Sequence, residues 1–134
     1  MGSRFKGEII MVAVDTSMLL SCEEQKVDVF DAMRGEIVGN ISFVVPKQVI
    51  EELNSLSLSA GKRAAVNVAK GLMEKNSVRA LEAGGNSADD ALVELGKEGA
   101  IVATNDRKLR ARLKKEGIKN VYLRNKKNIG LSWK

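Results

Sequence analysis

Four acidic features of this chain stand where a hydrophobic run stops or a helix could start. Asp15 closes the run Val-Ala-Val-Asp-Thr-Ser, and Asp106 closes Ile-Val-Ala-Thr-Asn-Asp. Asp89 and Asp90 follow Ser87, and Glu51 and Glu52 follow the only proline, Pro46. A carboxylate beside an apolar core is costly unless it is paired or bound to a metal. Several that converge repel one another and together make a cation site. With oxygen donors alone the cation would be hard, Mg²⁺ or Mn²⁺. Such an ion can activate water for in-line attack on a phosphodiester. Each acid also has a plainer use: Asp15 and Asp106 as helix caps, Asp89-Asp90 as partners of a helix dipole, Glu51 and Glu52 as solvated side chains.

The remaining composition narrows the chemistry further. The 134 residues include no histidine and one cysteine, Cys22. Ser-His-Asp and Cys-His triads, histidine acid–base steps and zinc held by histidine or thiolates are therefore excluded. A lone cysteine makes no internal disulfide and fits a reducing, cytoplasmic setting. No apolar run approaches the roughly 18 residues of a membrane span, so no membrane association is expected. Charge is uneven. Residues 107–134 carry 11 Lys and Arg against Glu116 alone, a net of +10, while residues 1–106 carry 11 basic and 16 acidic groups, a net of −5. A basic arm beside an acidic body suits an enzyme that steers nucleic acid towards a metal.

The elements that must position these acids follow from the apolar pattern. Ile9–Val14 reads as a strand, residues 18–34 as a helix broken near 23–26, and residues 41–45 as a second strand stopped by Pro46. Pro46 can open a helix with Val49, Ile50, Leu53 and Leu56 as its apolar face. Ser59 is placed to cap the next helix, with Ala64, Ala65, Val68, Leu72 and Met73 as its stripe. Residues 78–81 form a weak strand, Gly84-Gly85-Asn86 a turn, and Ser87 caps a helix over Ala88–Lys97 with Asp90 in the capping-box position. Residues 100–103 form a strand, Thr104 or Asn105 caps a basic helix over 107–116, and Asn120–Leu123 is the last strand. Strands that are apolar throughout belong to parallel sheets covered on both faces. Helices between them give an α/β fold, a three-layer α/β/α sandwich with a central parallel sheet. Its site should lie beyond the carboxyl ends of the strands. The length suits one domain over residues 1–134, with the basic segment 107–134 part of it and residues 1–8 a tag or disordered.

Four segments taken together, Val-Asp-Thr-Ser, Val-Pro-Lys-Gln-Val-Ile-Glu-Glu-Leu, Ala-Asp-Asp-Ala-Leu-Val-Glu-Leu and Ala-Thr-Asn-Asp-Arg-Lys-Leu, resemble the motifs of PIN-domain ribonucleases. They occur in the family's order over residues 9–123. The resemblance implies a PIN fold, a Mg²⁺ or Mn²⁺ requirement and endoribonuclease activity. By motif position it implies Asp15, Glu52, Asp90 and Asp106 as the catalytic and metal-binding acids, with Asp89 the alternative to Asp90. Thr16 or Ser17 would support Asp15, and Thr104 and Asn105 would support the acids or position water. Arg107, Lys108, Arg110, Arg112 and Lys114 on the basic helix would steer the RNA backbone. The bare domain is similar to archaeal VapC-type toxins, which implies an antitoxin partner and a homodimer. Its tail is also similar to ribosomal-RNA-processing PIN nucleases, but without a zinc-binding extension, so no zinc is expected. The competing readings are a non-catalytic RNA-binding scaffold in ribosome assembly, which a degraded acidic set would favour, and a phosphoacceptor receiver domain. The receiver reading lacks an aspartate ending the third strand.

Overall fold

The first strand, β1 (Ile9–Val14), ends in Val12, Ala13 and Val14, all three fully buried although successive side chains in a strand point to opposite faces. Such a strand needs cover on both sides, and the computed structural model supplies it. The structure describes residues 8–133. Of the stretch expected to be a tag or disordered, residues 1–7 lie outside these, and Glu8 is exposed.

After β1 the chain runs through helices α1 (Thr16–Glu24) and α2 (Val29–Glu36), strand β2 (Asn40–Pro46), and helices α3 (Lys47–Leu56) and α4 (Ala60–Lys75). There follow β3 (Arg79–Leu81), α5 (Ala88–Lys97), β4 (Ile101–Ala103), α6 (Arg107–Lys115), β5 (Asn120–Leu123) and β6 (Ile129–Leu131). The six strands form one sheet in the order β3-β2-β1-β4-β5-β6. The first five are mutually parallel, with Val14 beside Ala103 at the junction of β1 and β4, and β6 returns antiparallel to β5. The fold is α/β, a three-layer sandwich of helices about a mostly parallel sheet.

Chain order reverses direction across the sheet at β1 and β4. β1 to β3 are laid down to one side, and β4 to β6 to the other. In open parallel sheets such a switch point leaves a crevice at the strand ends where ligands bind.

The core packs both faces. Phe30 on α2 meets Phe43 on β2 edge to face, with centroids 4.9 Å apart. Leu53, Leu92 and Leu109 seal α3, α5 and α6 with almost no exposure. Truncating any one of these leucines to alanine costs about 2–5 kcal/mol, depending on how far the site collapses.

The structure differs from the sequence expectation in three places that bear on function. Asp106, not Thr104 or Asn105, caps α6, its carboxylate accepting from Lys108 N at 2.9 Å and Leu109 N at 3.4 Å. The buried stripe of α4 is Ala65, Val66, Ala69 and Met73, with Ala64 exposed, and Ser59 makes no side-chain cap. Strand β6 was not expected. Gly130 sits at its centre, and a Cβ there would lie 2.4 Å from Tyr122 Cζ, so the Tyr122 ring covers the position a side chain would take.

Candidate active site

At the switch point the two junctions that follow β1 and β4 lie side by side, joined by the bond from Asp15 N to Ala103 O (2.9 Å). Asp15 occupies the N-cap position of α1, yet its carboxylate makes no capping bond to that helix. It is instead 5% exposed and held by two hydroxyls. Thr104 Oγ1 donates to Asp15 Oδ2 at 2.6 Å, and Ser17 Oγ donates to the same oxygen at 3.0 Å. Each hydroxyl is itself oriented by a backbone donor: Asp106 N donates to Thr104 Oγ1 (3.1 Å) and Asn105 N to Ser17 Oγ (3.0 Å). With each hydroxyl already accepting from an amide, its proton is free to point at the carboxylate, whose ionised form these bonds favour. Burial pushes the Asp15 carboxyl above the ordinary range, and the Thr104 and Ser17 bonds pull it back. Both hydroxyls converge on the same oxygen, Oδ2.

Those acids arrive from three helices. Glu52 on α3 accepts from Thr16 Oγ1 on α1, which ties α3 to the Asp15 junction. Its neighbour Glu51 is exposed and has no described role here. At the start of α5 the paired aspartates separate. Asp89 is half-buried, its carboxyl raised first by burial and then by the charges of Asp15, Asp106 and Glu52, with Arg112 opposing. Asp90 turns the other way. Its Oδ1 accepts from Arg112 Nη1 at 2.8 Å, and that bond holds its carboxyl below the usual range. Of the two candidates for the third acid, Asp89 is the one whose carboxyl feels the charges of Asp15, Asp106 and Glu52, while Asp90 is paired with Arg112.

The signal for Asp89 was present in the sequence. Its i+3 and i+4 neighbours, Leu92 and Val93, are buried, whereas Asp90 is followed four residues on by exposed Glu94. Asp90 moreover stands three residues after Ser87, whose hydroxyl accepts from Asp90 N at 3.1 Å, a capping position.

The other expected site residues divide. Thr104 touches Asp15 directly. The Asn105 side chain is turned away, its Oδ1 accepting from Leu123 N at 2.7 Å, so it fastens β5 to the junction. On α6, Arg107, Lys108 and Lys114 are exposed, Arg112 is paired with Asp90, and Arg110 stacks on Tyr122 at 3.7 Å. Sequence reasoning missed Gln48. Its Nε2 donates to Ala83 O and Gly85 O, both at 2.9 Å, fixing the loop that enters α5. Gly85 adopts φ +101°, and a Cβ there would stand 2.6 Å from Asp90 Cβ, so only glycine lets this loop close over the helix start. On the Ser17 side of the junction a cleft of about 630 Å³ opens between Ser17, Glu24, Asn105, Leu123 and Lys126; Asp15, Glu52, Asp89 and Asp106 do not line it.

Among the described residues, no three acidic or thiol side chains converge as a ready cage for a metal ion. The donor chemistry nevertheless fits a hard divalent cation. Mg²⁺ keeps several waters and uses one or two carboxylates directly. Asp15, buried and braced by hydroxyls, and Asp89, raised first by burial and then by the charge of Asp15, are carboxylates of the kind such an ion uses. Among the described residues no helix is long and apolar enough to cross a membrane.

Comparison with known proteins agrees with this geometry. The PIN like domain family matches residues 12–126. Ribonuclease VapC9 of Archaeoglobus fulgidus is 33% identical over 119 residues, 87% of this chain and 84% of that protein. The solved structure of the PIN domain endonuclease Utp24 superposes with a TM-score of 0.73 at 26% identity, covering 91% of this chain and 90% of the other. A domain of a functionally unknown protein from Methanocaldococcus jannaschii shares the fold, with a TM-score of 0.59, 16% identity and coverage of 85% and 91%.

Proposed function

This chain belongs to the PIN-like domain family, and on that premise we propose that it is an endoribonuclease dependent on Mg²⁺ or Mn²⁺. The observation that carries the reading is Asp15, a buried carboxylate at a helix start that caps nothing and is instead braced by Thr104 and Ser17. A carboxylate kept at such cost serves a cation. Asp15 and Asp89 would hold the ion, with Glu52 and Asp106 reaching it through its waters; when bound it supplies an activated water and neutralises charge on the phosphate. Thr104 and Ser17 keep Asp15 ionised and fix its direction. Glu52 is steered by Thr16, and Gln48 holds the loop that presents Asp89. Arg107 and Lys108, exposed at the first turn of α6 beside Asp106, attract the RNA backbone.

The relative named a VapC ribonuclease favours a toxin that pairs with an antitoxin protein and acts as a homodimer. The buried free Cys22 suits the reducing cytoplasm for that role. The likeness to Utp24 favours the second reading, a ribosomal-RNA-processing nuclease. The test is incubation of the purified protein with an end-labelled structured RNA, with and without Mg²⁺ or Mn²⁺, beside Asp15→Asn. Metal-dependent cutting that the variant loses is the expected result. Cutting retained by Asp15→Asn would overturn the assignment, and failure of the protein to bind metal would favour the scaffold reading. Induced expression then separates toxin from processing enzyme: a toxin arrests growth, and co-expressed antitoxin relieves the arrest.

A further inference from the structure

A second cleft, of about 520 Å³, lies on the far side of α6 from Arg112, between the end of that helix and the β5–β6 edge. Its walls include Arg110 and Lys114 from α6, Lys119 and Tyr122 from β5 and its approach, and Trp133 after β6. Among the described residues, no acidic side chain lines it. Two aromatic rings and three cations without a counter-charge form a surface complementary to a polyanion that also offers a flat apolar face.

The cleft is built rather than incidental. Asn120, 4% exposed, sits at its floor. Its Oδ1 accepts from Arg110 Nε at 3.1 Å, and its Nδ2 donates to Val102 O at 2.9 Å and Val121 O at 2.8 Å. Arg110 is thereby laid flat on the Tyr122 ring. The backbone of Asn120 also holds the segment that carries Trp133: Asn120 N donates to Ser132 Oγ (2.9 Å) and Ser132 N donates to Asn120 O (2.9 Å). Trp133 therefore follows an anchored edge; the residue is 36% exposed, and Lys119 Nζ lies 5.2 Å from its ring centroid. A part-exposed indole with Lys119 beside it, in a cleft that Lys114 also lines, is the arrangement that stacks an unpaired base while cations take the adjoining phosphates.

We propose that this cleft is a stacking subsite for an unpaired base of the RNA, with Trp133 as the platform and Lys114 and Lys119 on the flanking phosphates. The inference rests on the ribonuclease reading and adds a contact for the RNA strand outside the acidic site. Lys114 stands eight residues along α6 from Asp106, about 12 Å at the helical rise, so a strand leaving the acidic site can follow the helix to the cleft. A duplex cannot present an unstacked base there.

Trp133 is the sole tryptophan, so its emission reports on the cleft alone. The experiment titrates the full chain, in EDTA to prevent cutting, with a short oligouridylate, with the same strand annealed to its complement, and with a polyglutamate peptide. Emission of Trp133 is read alongside anisotropy of end-labelled RNA. Expected are quenching by the single strand only, affinity about tenfold weaker in Trp133→Leu, and most of it regained in Trp133→Phe. RNA that binds equally well to Trp133→Leu and leaves the emission unchanged would overturn the subsite while leaving the nuclease standing. Quenching by polyglutamate but not by RNA would overturn it in favour of an acidic protein partner. Absence of all RNA binding, together with absence of cutting, would remove both readings.

Discussion

The junctions β1–α1 and β4–α6 are neighbours in the sheet, and each places an aspartate at the N-cap of the helix that follows. Asp106 behaves as an N-cap usually does, closing the first turn of α6 with its carboxylate. Asp15 gives α1 no such help and is buried under hydroxyls from both junctions. The same residue in the same topological slot thus stabilises the molecule in one place and burdens it in the other. On the proposed function the burdened junction is the catalytic one, since a carboxylate kept against the core without a cationic partner lowers stability.

The largest test of this contrast is Asp15→Asn. Cutting should fall by about 10³-fold or more, the loss that accompanies several kcal/mol of transition-state stabilisation. The same change should raise the melting temperature in metal-free buffer at pH 7. Because burial raises the Asp15 carboxyl above its unfolded value, its stabilising contribution is complete below the unfolded pKa and is lost as pH rises through the folded one. A neutral asparagine escapes that loss. A lower melting temperature in Asp15→Asn would break the comparison.

Next in size is the separation of Asp89 from Asp90. Asp89→Asn should reduce cutting by about 10²-fold and remove the rise in melting temperature that Mn²⁺ produces. Asp90→Asn should change cutting by a small factor only, since its ion pair with Arg112 is exposed. Equal losses from the two variants in a cleavage assay would show that the rotation of α5 is misread.

The contrast at Asp106 is smaller and lies in stability. Asp106→Ala should cost about 1 kcal/mol in urea denaturation, whereas Asp106→Asn should keep the cap and lose little. Smallest is Thr104→Val. It removes a bond that lowers the Asp15 carboxyl, so the acidic limb of the pH–rate profile should move to higher pH. A shift to lower pH would refute the bracing role.

The parts of the fold legible in the sequence are those where one local signal dominates. Ile9–Val14 is apolar throughout and ends in Asp15, and Ala88–Lys97 begins at Ser87 with an acid in its first turn, so both elements could be read directly. Strand β6 could not. Three residues with a central glycine carry no alternation, and what makes Ile129–Leu131 a strand is the Tyr122 ring laid across Gly130, a contact across the hairpin. The site was legible as a set of acids at element ends, and less so in detail. Choosing between Asp89 and Asp90 needs the rotation of α5, which its buried face sets. Gln48 was invisible because its partners are carbonyls of Ala83 and Gly85, 35 and 37 residues away, which no composition reveals.

The two outermost strands, β3 and β6, are each three residues long, and β3 begins with exposed Arg79. The long strands β1 and β2 lie inside them. The outermost strands themselves therefore offer little backbone to another chain, and exposed Arg79 sets a charge on one rim against edge-to-edge growth. β3 pairs only with Val44–Pro46, however, and leaves the first residues of β2 without a strand partner on that side.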